Sequence, residues 1–135
     1  MKSTIRRILK EEFNNIKVPN VLYHSTFKPL LKKIKHEGLG GPSATPLWAD
    51  SKLKEEGVVY LAIDPDISYS YAEAVFDENE EIPEEWDEKI IVLVIDTTNL
   101  DTNNFYLDRN VLDNDGSTVE YHGIIPVESI IGVID

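Results

Sequence analysis

Residues 21–39 read VLYHSTFKPLLKKIKHEGL, and the rest of the chain is organised around them. Val21, Leu22 and Tyr23 form a short apolar run of the kind that becomes a buried strand. The run reaches His24-Ser25-Thr26, where a hydroxyl can cap a following helix. In that helix Phe27, Leu30, Leu31 and Ile34 recur at helical spacing and Pro29 suits the first turn. Lys32, Lys33, Lys35 and His36 complement the carboxyl end, and Gly38 supplies a left-handed stop. The expectation is a histidine and two hydroxyls at a strand-to-helix junction, close to backbone N–H groups that lack helical partners. The plainer reading makes His24 a half-buried ring bonded to a carbonyl, and Ser25 or Thr26 a simple cap.

A chain of 135 residues with 41% apolar content fits one domain, residues 1–135, with a substantial core. Cysteine is absent, which excludes disulfides and thiolate metal sites. Residues 1–15 mix Lys2, Arg6, Arg7, Lys10, Glu11 and Glu12 with apolar positions, and no run of about 18 apolar residues occurs. Neither a signal peptide nor a membrane span is expected, and the expected location is cytoplasmic. The net charge is −12, of which eight carboxylates fall within residues 77–88 without a single base. Such a distribution argues against tight binding to duplex nucleic acid, which needs clustered Lys and Arg.

In chain order, Ser3 or Thr4 caps an amino-terminal helix within residues 1–19, whose Ile5, Ile8, Leu9, Phe13 and Ile16 share a face that should dock on the domain. Residues 40–56, with Gly40-Gly41-Pro42 and Thr45-Pro46, read as an irregular loop carrying Trp48. A strand follows at residues 57–63, then a helix from Asp66 to about Phe76, opened by Asp64-Pro65, with Ile67, Tyr71, Ala74 and Val75 on one face. Tyr60 and Tyr71 are either core aromatics or two rings able to flank a flat ligand. Residues 77–88 read as a solvated acidic insert in which Trp86 either pins the segment to the body or marks a docking point for a basic partner. Lys89 to Ile95 is the most apolar stretch and should be a strand covered on both faces. Further strands are expected near residues 104–107, 117–122 and 130–134, with a turn at Asp113-Asn114-Asp115-Gly116. The class is α+β.

Three segments then line up in order: His24-Ser25-Thr26, a strand and helix carrying Tyr60 and Tyr71, and a late strand carrying Glu120. Together they resemble the His-Tyr-Glu class of ADP-ribosyltransferases, the superfamily of diphtheria toxin and the poly(ADP-ribose) polymerases. The first motif has Ser25 where the family usually has glycine. The second, Gly57-Val58-Val59-Tyr60-Leu61-Ala62, has one residue more before its tyrosine, and Tyr71 follows Tyr60 at the family's spacing of eleven, with Ser68 one turn earlier. The third, Glu120 followed by Pro126-Val127-Glu128-Ser129-Ile130, looks like a DarT-type ending.

The resemblance implies a single-domain ADP-ribosyltransferase-like fold, a mostly antiparallel split sheet with an amino-terminal helix and a cleft for NAD between sheet layers. NAD would be the substrate and no metal would be needed. Cleavage of the nicotinamide–ribose bond passes through an oxocarbenium-like state, as glycoside hydrolysis does. A carboxylate beside the ribose suits it, and the resemblance gives this catalytic role to Glu120. By the same analogy His24 holds the adenine-side ribose, the Ser25 backbone pairs with the nicotinamide amide, Thr26 supports the first motif, and Tyr60, Ser68 and Tyr71 complete the nicotinamide side. The reaction is ADP-ribosyl transfer, or NAD hydrolysis, with release of nicotinamide. The acceptor is not readable, and an acidic surface favours a basic protein. The alternatives are a noncatalytic nucleotide-binding or interaction module of the same fold and, ranked lower, an RNA 2′-phosphotransferase. That last activity looks to need an arginine cluster, and Arg109 is the one arginine outside the first helix. Without the other motifs, Glu120 would read as an exposed strand carboxylate opposite a lysine.

Overall fold

The computed structural model describes residues 18–40, 58–108 and 115–135. Within them six strands form one sheet: β1 (Val21–Phe27), β2 (Val58–Ala62), β3 (Ile90–Asp96), β4 (Phe105–Leu107), β5 (Thr118–His122) and β6 (Ile130–Ile134). Their order is β4-β5-β2-β1-β3-β6, and every neighbouring pair is antiparallel. Among the described residues two α-helices accompany the sheet, α1 (Leu31–Glu37) and α2 (Pro65–Glu78). The architecture is α+β, as the succession of elements in the sequence implies.

Side-chain alternation divides the sheet into two faces. On one, Leu22, Val59, Leu61, Ile91, Leu93, Ile95, Phe105, Leu107, Val119 and Tyr121 form the main core, closed by Ile34 of α1 and by Leu39, Leu100 and Ile125. The other face meets α2, where Phe27 and Ile90 pack on Ala72, Val75 and Ile82. The side chain of Asp64 caps α2 by accepting from the N–H groups of Asp66 and Ile67, and Pro65 occupies the first turn, so the expected start of this helix is found. Its buried face is rotated from the expected one: Ser68, Ala72 and Val75 are buried, whereas Ile67 is exposed. The small side chains at 68 and 72 let the helix lie close to the sheet.

The first strand corrects the reading of residues 24–26. β1 does not end there; it continues through Phe27, with Ser25, Thr26 and Phe27 registered against Val92, Ile91 and Ile90 of β3. The β-branched and aromatic residues at 26 and 27 gain more from a long apolar partner strand than from starting a helix. The helical part begins only at Lys28–Leu30, as a 3₁₀ turn containing Pro29, and neither Ser25 nor Thr26 caps it. Gly38 does end α1, at φ 78°, with its N–H bonded to the Ile34 carbonyl at 2.7 Å.

The acidic segment is likewise more ordered than a solvated loop. Residues 77 and 78 finish α2, Glu84–Lys89 forms a 3₁₀ helix, and Ile82 is buried. Trp86 packs on Phe27 with ring centroids 5.6 Å apart, which decides between its two readings in favour of pinning the segment to the body. The expected helix in residues 1–19 and the loop of residues 40–56 with Trp48 lie outside the described residues, apart from residues 18, 19 and 40. So do Arg109, Asp113 and Asn114. No helix among the described residues is long and apolar enough to cross a membrane.

Candidate functional site

The sheet has one weak seam. β1 registers with β3 continuously from Val21–Asp96 to Phe27–Ile90, and β2 registers with β5 along its whole length, from Val58–His122 to Ala62–Thr118. Between β1 and β2 the registered pair is Tyr23–Ala62 alone. The sheet is therefore split into a β4-β5-β2 half and a β1-β3-β6 half that part beyond that pair. The described strands make one parted sheet, which corrects the expectation of a cleft between sheet layers.

His24 sits where the halves part. Its Nδ1 is 2.8 Å from the backbone carbonyl of Tyr60, so the imidazole spans from β1 to β2 where strand pairing has stopped. A carbonyl only accepts, so Nδ1 carries the proton, and in the neutral ring Nε2 is then the acceptor nitrogen. The carbonyl bond of the plainer reading is thus present, and it also fixes a ring nitrogen of defined polarity beside the seam. The Tyr23–Ala62 register puts Ser25 on the same face as Tyr60, and His24 and Thr26 on the opposite one. Thr26 is buried among the main core residues.

On the α2 face, Tyr60 stacks on Tyr71 with ring centroids 5.9 Å apart and planes 22° from parallel. Aspartate capping and the close packing of α2 bring Tyr71 over β2, and Ser68 is buried one turn earlier. Both rings are half-buried. They form a flat aromatic surface rather than a fully enclosed core pair.

Glu120 faces the same side. It is registered between Tyr60 on β2 and Tyr106 on β4, so three strands carry Tyr60, Glu120 and Tyr106 in a row. Its side chain is 0% exposed, which rules out the exposed strand carboxylate opposite a lysine. His122 Nε2 lies 2.8 Å from Glu120 Oε1, and the His122 ring in turn lies 4.4 Å from that of Tyr106, tilted by 43°. Burying a carboxylate is costly unless it is paired and hydrogen-bonded, and His122 provides that partner.

Sequence reasoning singled out His24, Ser25, Thr26, Tyr60, Ser68, Tyr71 and Glu120 and missed His122 and Tyr106. The signal for His122 was present: on a strand, residues i and i+2 share a face, so Glu120-Tyr121-His122 necessarily pairs its outer members. Tyr106 had no such signal, since only the register of β4 brings it there. Of the named set, Tyr60, Tyr71 and Glu120 converge on one face, and His24 reaches the same seam through the Tyr60 backbone. Asp96 at the end of β3 and Asp115 ahead of β5, whose pKa values are held below the usual carboxylate value by bonds from Thr98 and Ser117 respectively, bond to their own following turns. No model of a known protein family matches the chain, and a search of curated proteins finds no match to it.

Proposed function

We propose that the protein is an NAD-dependent ADP-ribosyltransferase of ADP-ribosyltransferase-like fold, acting as an NAD glycohydrolase when water is the acceptor. The observation that carries this reading is Glu120, a buried carboxylate in register with Tyr60, whose ring stacks on Tyr71 beside the parting of β1 and β2. A flat cationic ring such as nicotinamide suits a pair of tyrosines, and a carboxylate one strand away, at a cross-strand Cβ separation of about 5 Å, lies where ribose would follow.

In this reading NAD lies along the seam. His24, with Nε2 as acceptor, takes a ribose hydroxyl, and the Ser25 backbone meets the nicotinamide amide. Glu120 offsets the positive charge that builds on the ribose as the glycosidic bond breaks. Insertion of a ring between Tyr60 and Tyr71 needs about 3.5–4 Å on each side. The present 5.9 Å therefore has to widen by about 1–2 Å, a shift that half-buried rings on separate elements can make. The acidic segment 77–88 favours a basic protein as acceptor.

A noncatalytic nucleotide-binding module is the second reading, favoured by the full burial of Glu120 behind His122. Nicotinamide release from NAD, compared with Glu120→Gln and accompanied by calorimetric NAD titration of both proteins, separates the two. An enzyme loses at least 100-fold in turnover on this substitution and keeps its NAD affinity, on the order of magnitude expected when transition-state charge stabilisation is removed. Binding without release in the wild type supports the module, and absence of both removes NAD from the account of this site.

A further inference from the structure

The Glu120–His122 pair has an asymmetry that the family resemblance does not anticipate: the carboxylate is fully buried, whereas the histidine side chain is 22% exposed. Whatever reaches this pair from solution meets the imidazole first. With Glu120 ionised, the carboxylate accepts and His122 Nε2 donates across the 2.8 Å contact. That bond fixes the ring so that Nδ1 is the basic nitrogen, in the manner of a carboxylate orienting a catalytic imidazole. Tyr106 packs against the ring from β4 and holds its plane. Among the described residues, the charged and titratable groups placed on this face beside the pair include Tyr60 on β2, Tyr106 on β4 and, from the helix packed over the sheet, Tyr71 of α2.

The row Tyr60, Glu120, Tyr106 also gives the site two sides. The stacked tyrosines lie on the β2 side of Glu120, and His122 with Tyr106 lies toward β4. With nicotinamide seated at the tyrosine pair, a nucleophile that replaces it with inversion at the ribose carbon arrives from the far side, which is the His122 side.

We propose that His122 is the base that takes the acceptor's proton, with Glu120 acting as its buried counter-charge; this rests on the ADP-ribosyl-transfer reading of the same site. In the step, the bond from ribose C1′ to the nicotinamide nitrogen breaks and its electron pair neutralises the pyridinium. The acceptor X–H forms the C1′–X bond with its own electron pair, and its proton passes to His122. The imidazolium so formed lies 2.8 Å from the Glu120 carboxylate. The acceptor is therefore a neutral group that must lose a proton on attack, such as water or a hydroxyl.

The test uses the full chain with NAD, and water as acceptor. His122→Gln keeps an amide donor for Glu120, and so the fold, but cannot take a proton; His122→Ala opens space for added imidazole. The proposal expects His122→Gln to bind NAD as the wild type does and to lose nicotinamide release by 100-fold or more, in kcat rather than KM. It also expects imidazole to restore at least 10-fold of the activity lost in His122→Ala, and circular dichroism checks that both variants are folded. If the wild type releases nicotinamide and His122→Gln is within threefold of it, the assignment of His122 falls and the ADP-ribosyl-transfer reading stands. A loss in His122→Ala that imidazole does not restore, together with an active His122→Gln, makes His122 a structural prop for Glu120 and overturns the proposal. If the wild type neither binds nor cleaves NAD, both readings fall together.

Discussion

Replacing Gly38 by alanine should unlatch the segment that follows β5 from the end of α1. Gly38 has φ 78° and ψ −167°, a region open almost only to glycine, and forcing another residue into it costs about 1–3 kcal/mol. An added Cβ would also stand 2.4 Å from the Ile125 carbonyl oxygen, which is backbone and cannot swing aside. That carbonyl accepts from the Leu39 N–H at 2.9 Å, and Ile125 N–H donates to the Leu39 carbonyl at 3.0 Å. Relieving the overlap means giving up this two-bond bridge, at about 0.5–1.5 kcal/mol per bond. The combined loss is about 2–6 kcal/mol, a large share of the stability of a domain this size. Urea unfolding followed by circular dichroism reads it, with Gly132→Ala as the control. At Gly132 the nearest atoms to an added Cβ are those of Val94, at 3.6 Å and 3.7 Å, so that variant should be neutral or slightly stabilised. If Gly38→Ala stays within 0.5 kcal/mol of the wild type, the reasoning about this latch is wrong.

Trp86→Ala removes the ring that packs on Phe27 and should cost about 2 kcal/mol, less than a fully buried tryptophan, while exposing residues 84–89 to limited proteolysis; unchanged cleavage would show that the acidic segment is held by something else. Tyr71→Ala should raise the Kd for NAD by about 2–10-fold, the worth of one aromatic contact, as read by calorimetry, and an unchanged Kd would move the ligand away from α2. Asp96 is held below the usual carboxylate pKa, first by the Thr98 N–H and then by its hydroxyl, and Asp115 by the Ser117 hydroxyl and N–H. Because both folded values are lowered, the stability they add is present above the unfolded pKa and is lost as pH falls through the folded value. Thr98→Val removes the hydroxyl bond and keeps the N–H bond, so the midpoint for protonation of Asp96, followed by carboxyl carbon NMR, should move only part of the way up toward the ordinary value, and a midpoint left in place would contradict the share given to the hydroxyl.

The sequence was most legible where apolar and β-branched residues are concentrated. The strand near residues 89–95 and that at 130–134 were read nearly to the residue, because no helical phase fits their runs. The end of β1 was not, since Ser25 and Thr26 are equally good as caps and as strand residues, and only the partner strand decides between them. The acidic segment misled for a similar reason: eight carboxylates hid the two anchors, Ile82 and Trp86, that bind it to the body. Within the site, Tyr60 and Tyr71 were marked by their spacing and Glu120 only by the family resemblance; the three do share a face, yet the hydrogen-bond partner of Glu120 was overlooked although it stands two residues away. Tyr106 depends on the register of a three-residue edge strand, and no local pattern encodes that.

The most direct test of an NAD site at the seam is to map backbone and histidine side-chain NMR shifts as NAD is added to the full chain. Shifts concentrated at His24, Ser25, Tyr60, Tyr71, Glu120 and His122, saturating together, are the expected result. Shifts confined to other regions, or none at millimolar NAD, would contradict it and return these residues to the structural core.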